Sequence, residues 1–441
     1  RRWCDRMARK SSLPRWYRDT VIVKLPFAND RIALDLRGFR VRPLAPSAPT
    51  GRDAGALAAN ALDRPLDGAP LVDIARGPES ATVIVPDATR KASLSEVLPV
   101  VIERLRRAGI KDDAVTVLVA NGTHPPVGAE AVESLVGPLP DSIRVIEHDS
   151  RAPDLVTVGD LRTGVPLRLH PSAVECGCLI TIGTVRHHYF AGFGGGPKMV
   201  FPGVGGYQEI QENHGMVLDL SGDHAVRNPK CEPGLLDGNP VAEEIARAAA
   251  LRPPDIALCL VEGREGGVAW AGAGPWEIAF DTAVERVKTW YEVPVKGDFD
   301  LMVASSGGHP TDATLIQAHK GLDAACRFLK PGGELLWVAS LDQGLGSAEM
   351  APFVDDPSPG AILARLADRW VQYGHTTLRI VEKTRRHRVY LHSRFDSETA
   401  ARLGFEPLSD PDSLLDLWRE RRTGAQVGVM STGLVFPRTQ D

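Results

Sequence analysis

From residue 81 onward the chain alternates short β-branched runs with longer stretches of helical spacing. Ala81-Thr-Val-Ile-Val85 predicts a strand, bounded by Pro86 and Asp87. Ser93, with Glu96 three residues later, predicts a capping box for a helix over Leu94–Ala108 that Gly109 closes. Val115–Val119 and Ile143–Glu147 predict further strands, and Cys178–Ile182 a buried one. Helices are expected over 240–251 and 276–291, on either side of a strand at 256–261. Beyond Pro294–Asp298 the pattern resumes with a strand at 299–304, a helix over 314–329 and a strand at 334–339. The rest of the chain, through Leu378–Val381, Val389–His392 and Val427–Met430, continues the alternation. Strand, helix, strand with short connections means βαβ units, hence an α/β fold of two domains with mainly parallel sheets. The division expected is 20–295 and 296–441, with the last segment free to pack back on the first domain. Residues 20–75 and 219–239 carry no clear period.

Composition narrows the class. A chain of 441 residues exceeds one ordinary core. Its 51 basic against 56 acidic residues leave a net charge of −5, which argues against a nucleic-acid groove. No run approaches the roughly 18 apolar residues of a membrane span. The basic segment from Arg1 to Asp19 lacks the apolar core of a signal peptide. Six scattered cysteines fit reduced thiols in the cytoplasm, and Cys176 and Cys178 lack the second pair that a metal site would need.

The chemistry gathers at strand ends. One end gives Asp87-Ala-Thr-Arg90 and the next Asn121-Gly-Thr-His124. After Cys178–Ile182 comes Gly183–His214, with His187, His188, Gly192, Gly194, Gly195, Gly196, Lys198 and, sixteen residues on, His214. The glycines let the backbone come close to a bound group, yet GFGGGPK matches neither common nucleotide fingerprint. A fourth end gives Gly307–Asp312, followed by Gln317 and Lys320 on one helical face. Strand C-termini of a parallel sheet lie along one edge, so these groups converge if the strands share a sheet. Two histidines with an arginine and a lysine suit two-base chemistry at a carbon beside a carboxylate. Such chemistry needs an electron sink, so a cofactor or metal is implied.

Taken together, Asp87-x-Thr-Arg90, Gly122-Thr-His124, the run from His188 to Lys198, Asn213-His214 and Gly307-Gly-x-Pro-x-Asp312 with Gln317-x-x-Lys320 resemble the lactate racemase family. These are nickel-pincer nucleotide enzymes. The resemblance implies an active site in the cleft between two α/β domains. It also implies nickel on a pyridinium-3,5-bisthiocarboxylic acid mononucleotide, attached covalently through Lys198, with His214 as a nickel ligand. His124 and His188 match the acid–base pair. Asp87, Thr89 and the glycines at 194–196 match positions beside the cofactor, with Asp87 contacting it or orienting Arg90. Arg90, Gln317 and Lys320 match substrate contacts, and His309 and Trp370 are further candidates there. By this analogy one histidine takes the hydroxyl proton while the α-hydride moves to the cofactor and returns to the other face. The partners implied are a small 2-hydroxy acid and, transiently, cofactor-synthesis proteins, with no nucleic acid and no membrane. His309 and Ile316 stand where lactate-specific members carry tyrosines, which puts lactate itself in question. An epimerase of polyhydroxylated sugar acids and a non-catalytic cofactor carrier are the other readings. The carrier could dispense with His124 and His188.

Overall fold

The computed structural model describes residues 22–87, 92–295 and 299–438. Thr89 and Arg90 therefore lie outside the described residues. The described chain forms two compact α/β units. The larger takes 45–294, 356–378 and 434–438, and the smaller takes 22–44, 295–355 and 379–433. The contiguous division expected from the sequence differs in residues 22–44 and 356–378. The reason at the N-terminal end is strand pairing: Arg40–Leu44 runs parallel to Gln426–Met430 and completes the smaller unit's sheet.

The larger unit holds six strands in the order Val268–Gly274, Ile256–Glu262, Cys178–Thr184, Ala81–Pro86, Val115–Ala120, Arg144–Glu147. All neighbours are parallel except the Val268–Gly274 edge. Residues 81–86, 115–120 and 178–184 are nearly all buried, as strands covered on both faces must be. From Ala81–Pro86 the chain steps outward to 115–120 and 144–147, then returns to the other side of its starting strand at 178–184. This reversal is a topological switch point, where loops leaving adjacent strands diverge and open a crevice.

The helix Leu94–Ala108 has the expected bounds and is closed by Gly109 at φ 101°. Its start differs from the expectation. Ser93 lies at φ 47° and makes no capping bond, and the Glu96 carboxylate instead accepts from the Ala54 amide at 3.2 Å. The partner of Glu96 is a helix forty residues away, which a local spacing rule cannot see. Leu378–Val381, to which the sequence assigned no element type, is helical, within Gln372–Arg386. So short a stretch fits a helix turn as well as a strand, and Leu378, Ile380 and Val381 are buried here together with Arg379.

The smaller unit's sheet runs Glu406–Pro407, Arg388–His392, Leu329–Val338, Phe299–Ser305, Gln426–Met430, Arg40–Leu44, parallel throughout. A hairpin, Ile22–Phe27 with Asp30–Asp35, is bolted to it. The buried Asp312 carboxylate accepts from Ala28 N at 2.9 Å and Ser340 N at 3.1 Å. Among the described residues no helix is long and apolar enough to cross a membrane.

Under the helix Leu315–Cys326, buried Asp323 meets Arg379 at 2.7 Å, Arg327 at 3.0 Å and Lys383 at 3.0 Å. Burial alone would raise its carboxyl, but the three cations hold it well below the ordinary value. Asp323→Ala leaves Arg379 buried without its carboxylate and is expected to lose about 3–5 kcal/mol. Urea unfolding at pH 7 reads this loss. The folded carboxyl is depressed, so its stabilisation is complete above the unfolded value and fades as pH falls toward the folded one. The gap between variant and parent should therefore narrow below about pH 4.

Candidate active site

The loops that leave the switch point build one pocket within the larger unit. Its walls include Asp87, His124, Arg186, His187, His188, Phe190, Gly194, Gly195, Lys198, His214 and Gln372. Asp87 follows the Ala81–Pro86 strand directly and is nearly buried. Its Oδ2 meets His124 Nδ1 at 2.6 Å, and the expectation had placed this carboxylate beside the cofactor or Arg90.

His124 sits on a braced turn. Its amide donates to Asn121 O at 2.9 Å, and Gly122, at φ 55°, donates to Gly203 O at 2.9 Å. Glu147, from the edge strand, accepts from Val127 N at 2.7 Å and Gly128 N at 3.0 Å, which fixes the far end of the turn.

The third loop is a tight β-ribbon, Arg186–His188 against Gly192–Gly194. His188 Nδ1 accepts the Ala191 amide proton at 3.2 Å. His187 is held on the ribbon by Glu292 Oε1, 3.0 Å from its Nε2, and by stacking on Phe436 at 4.3 Å. The ribbon then turns sharply. A Cβ on Gly195 would lie 2.7 Å from Thr184 O, and one on Gly196 would lie 2.2 Å from the Phe280 ring; both residues have positive φ. No side chain fits there, and the turn delivers Lys198 into the pocket.

Buried Phe190 is the shared wall. His188 meets its ring at 4.7 Å and His214 at 5.1 Å, both edge-on, and Lys198 Nζ lies 5.7 Å from the ring centre. His214 occupies the last turn of the helix Tyr207–Gly215. The start of that helix is fixed by buried Glu209, which Arg168 grips with two guanidinium nitrogens. Burial, with the Lys198 charge and His124 nearby, pushes the His214 ring down to about 3, so the ring is neutral. Neither of its nitrogens has a hydrogen-bond partner among the described residues. An apolar residue would fill that space at less cost, so a buried imidazole with two bare nitrogens is suited to a ligand.

The structure thus brings together Asp87, His124, His188, Gly194, Gly195, Lys198 and His214, with Gly196 in the turn beside them. Trp370 is in the same unit but does not line the pocket. It packs on His375 at 5.5 Å, with its indole N–H buried and without a hydrogen-bond partner among the described residues. Gln317, Lys320 and His309 belong to the smaller unit. There Lys320 Nζ donates to Gln317 Oε1 at 2.7 Å, and His309 Nε2 faces Asp342 at 3.0 Å and Ser340 at 3.1 Å. Sequence reasoning missed Phe190, Glu292, Arg186 and Gln372. Phe190 and Arg186 stand inside the histidine–glycine run and could have been weighed there. Nothing local marked Glu292 or Gln372.

An α/β protein with a histidine- and glycine-walled pocket at a sheet's switch point is the class that these features define. A model of the lactate racemase N-terminal domain matches residues 39–225. The chain is 30% identical over 301 residues to a lactate racemase of Lactiplantibacillus plantarum, covering 67% of this chain and 69% of that one. It is 28% identical over 330 residues to a lactate racemase of Thermoanaerobacterium thermosaccharolyticum, covering 74% and 75%. The fold matches the lactate racemase apoprotein of the latter organism with a TM-score of 0.83, at 24% identity over 95% of this chain and all of that one. A protein of Thermotoga maritima matches with a TM-score of 0.65 at 15% identity, over 88% of this chain. The chain belongs to the lactate racemase family.

Gly196→Ala is expected to cost about 1–3 kcal/mol through the Phe280 clash alone, with backbone strain added. Gly360→Ala, where nothing lies within 4 Å, should stay near the parent. Urea midpoints of the two variants check the contrast.

Proposed function

We propose that this protein is an isomerase that inverts C2 of a 2-hydroxy acid. Lactate is the first substrate to test, because both relatives carry the name lactate racemase. The observation that carries the reading is His214: a buried neutral ring with two bare nitrogens, in one pocket with Lys198, the Asp87–His124 pair and His188.

Taking hydrogen from a carbon beside a carboxylate needs an electron acceptor, and the pocket fits a nickel-bearing nucleotide. His214 offers a lone pair to the metal, Lys198 an amine for covalent attachment, and the turn at 194–196 a place beside the phosphate. Among the described residues no three His, Cys, Asp or Glu side chains could hold a metal by themselves. A metal held by His214 would therefore need further donors from the nucleotide itself. When bound, this group would supply the acceptor for the α-hydride. Loading would depend on the proteins that make the nucleotide, met transiently.

The chain's own residues do the rest. His124 Nε2 takes the hydroxyl proton, while Asp87 holds the ring at Nδ1 and stabilises the imidazolium. His188 handles the proton of the opposite enantiomer. By their motif positions Arg90, Gln317 and Lys320 are candidates for substrate contacts, with His309 and Trp370 as further candidates and Thr89 for the cofactor. A second reading, epimerisation of a polyhydroxylated sugar acid, is favoured by Gln372. It lines the pocket, and its side-chain amide makes no hydrogen bond among the described residues, so it is available to a further substrate hydroxyl.

Chiral chromatography of lactate and of larger 2-hydroxy acids, incubated with cofactor-loaded protein, tests the proposal. Conversion of either enantiomer to a racemate is expected for at least one of them, and none with any would defeat it. His124→Ala should lower the rate by about 10²–10⁴-fold with the cofactor still attached. Lys198→Ala should abolish the reaction together with attachment.

A further inference from the structure

The hydrogen bonds of the two acid–base histidines are of opposite kinds. His124 Nδ1 faces a carboxylate, which accepts only, so this nitrogen carries a proton and Nε2 is the one turned to chemistry. His188 Nδ1 faces the Ala191 amide, which donates only, so this nitrogen carries a lone pair. A neutral ring bare at Nδ1 is protonated at Nε2. In this arrangement His188 can be neither a base at Nε2 nor an imidazolium without losing the bond to Ala191.

The ribbon makes this more than a chance contact. Pairing of His188 with Gly192 sets the turn that brings the Ala191 amide back to the ring. The ring itself is edge-on to Phe190, which is fully enclosed. The neighbouring His187 is the reverse case, with its Nε2 against the Glu292 carboxylate. It therefore has a defined Nε2–H of its own and serves as an internal reference.

Resting on the isomerase reading above, we infer that the two histidines are not equivalent: His124 is the resting base, and His188 rests as a neutral hydrogen-bond donor. When the enantiomer served by His124 is taken to its 2-oxo acid, the hydroxyl proton passes to His124 Nε2, and the nucleotide, when bound, would supply the acceptor for the α-hydride. His188 Nε2–H meanwhile donates to the substrate without giving up its proton, a role that a neutral imidazole fills well. Completing the inversion needs a proton on the hydroxyl of the other enantiomer, and His188 can deliver or take that proton at Nε2 only after exchanging the Ala191 bond for a protonated Nδ1.

The test is long-range 1H–15N correlation of ring nitrogens in the full chain with 15N-labelled histidine, at pH 8.5. His124→Gln and His188→Gln variants assign the signals. Expected is a His188 ring bare at Nδ1 and protonated at Nε2, and a His124 ring protonated at Nδ1. A His188 ring protonated at Nδ1, or a His124 ring bare there, would overturn the inference. Should a glutamine variant fail to fold, half-reactions of loaded protein decide instead. Formation of the 2-oxo acid from the enantiomer that His124 serves should survive His188→Asn, which keeps a donor, better than His188→Leu. Equal losses in the two variants would overturn the inference. The tautomers are read without cofactor or turnover. Inactive protein with the expected tautomers would count against the isomerase reading alone, and active protein with the wrong ones against this inference alone.

Discussion

A backbone too close to its neighbours for any side chain organises the site. Gly195 lies against the Thr184 carbonyl and Gly196 against the Phe280 ring, both at positive φ. This contact folds the chain back at the end of the Cys178–Thr184 strand, where an ordinary βα connection would run away from the sheet. The returning chain delivers Lys198, and the ribbon before it presents His188 and Phe190. Phe190 then serves as a wall for three pocket side chains, His188, Lys198 and His214, from three different elements. A Cβ at either glycine would act first on this geometry and only through it on chemistry.

The supports of the site are mostly carboxylates placed behind cations or imidazoles. Asp87 stands behind His124, Glu292 behind His187, and Glu209 receives Arg168 at the base of the helix that ends in His214. Each bond restricts a ring or a helix that would otherwise have several orientations. His214 is the exception, buried and unbonded, and its two bare nitrogens make it the natural place for a ligand to finish the structure. Family membership and this exception point the same way from independent grounds. One is descent, the other the cost of an unsatisfied buried group.

Much of the fold was legible because local signals agreed with it. Leu94–Ala108 ends where Gly109 adopts φ 101°, and the buried strands read as short, β-branched and mostly apolar runs. Strand-end motifs marked His124, His188, Lys198 and His214, since topology alone gathers such loops on one edge. What stayed hidden depends on distance in sequence. Glu292 is 105 residues from His187, and Asp87 is 37 from His124, so no spacing rule could pair them. The strand Arg40–Leu44 sits in a stretch without periodicity and gains its place only by pairing with Gln426–Met430. Leu378–Val381 was ambiguous in principle, and its helix comes from the tertiary setting of the longer segment.

The central claim is that Lys198 and His214 together hold a nickel-bearing nucleotide. Intact mass combined with nickel analysis tests it most directly, on full-length protein produced alongside the enzymes that make the nucleotide. A mass increase that maps to the peptide carrying Lys198, with stoichiometric nickel that is lost in His214→Ala, is the expected result. An unmodified mass without nickel under the same conditions would contradict the claim, and would leave the glycine turn and its histidines in need of another ligand.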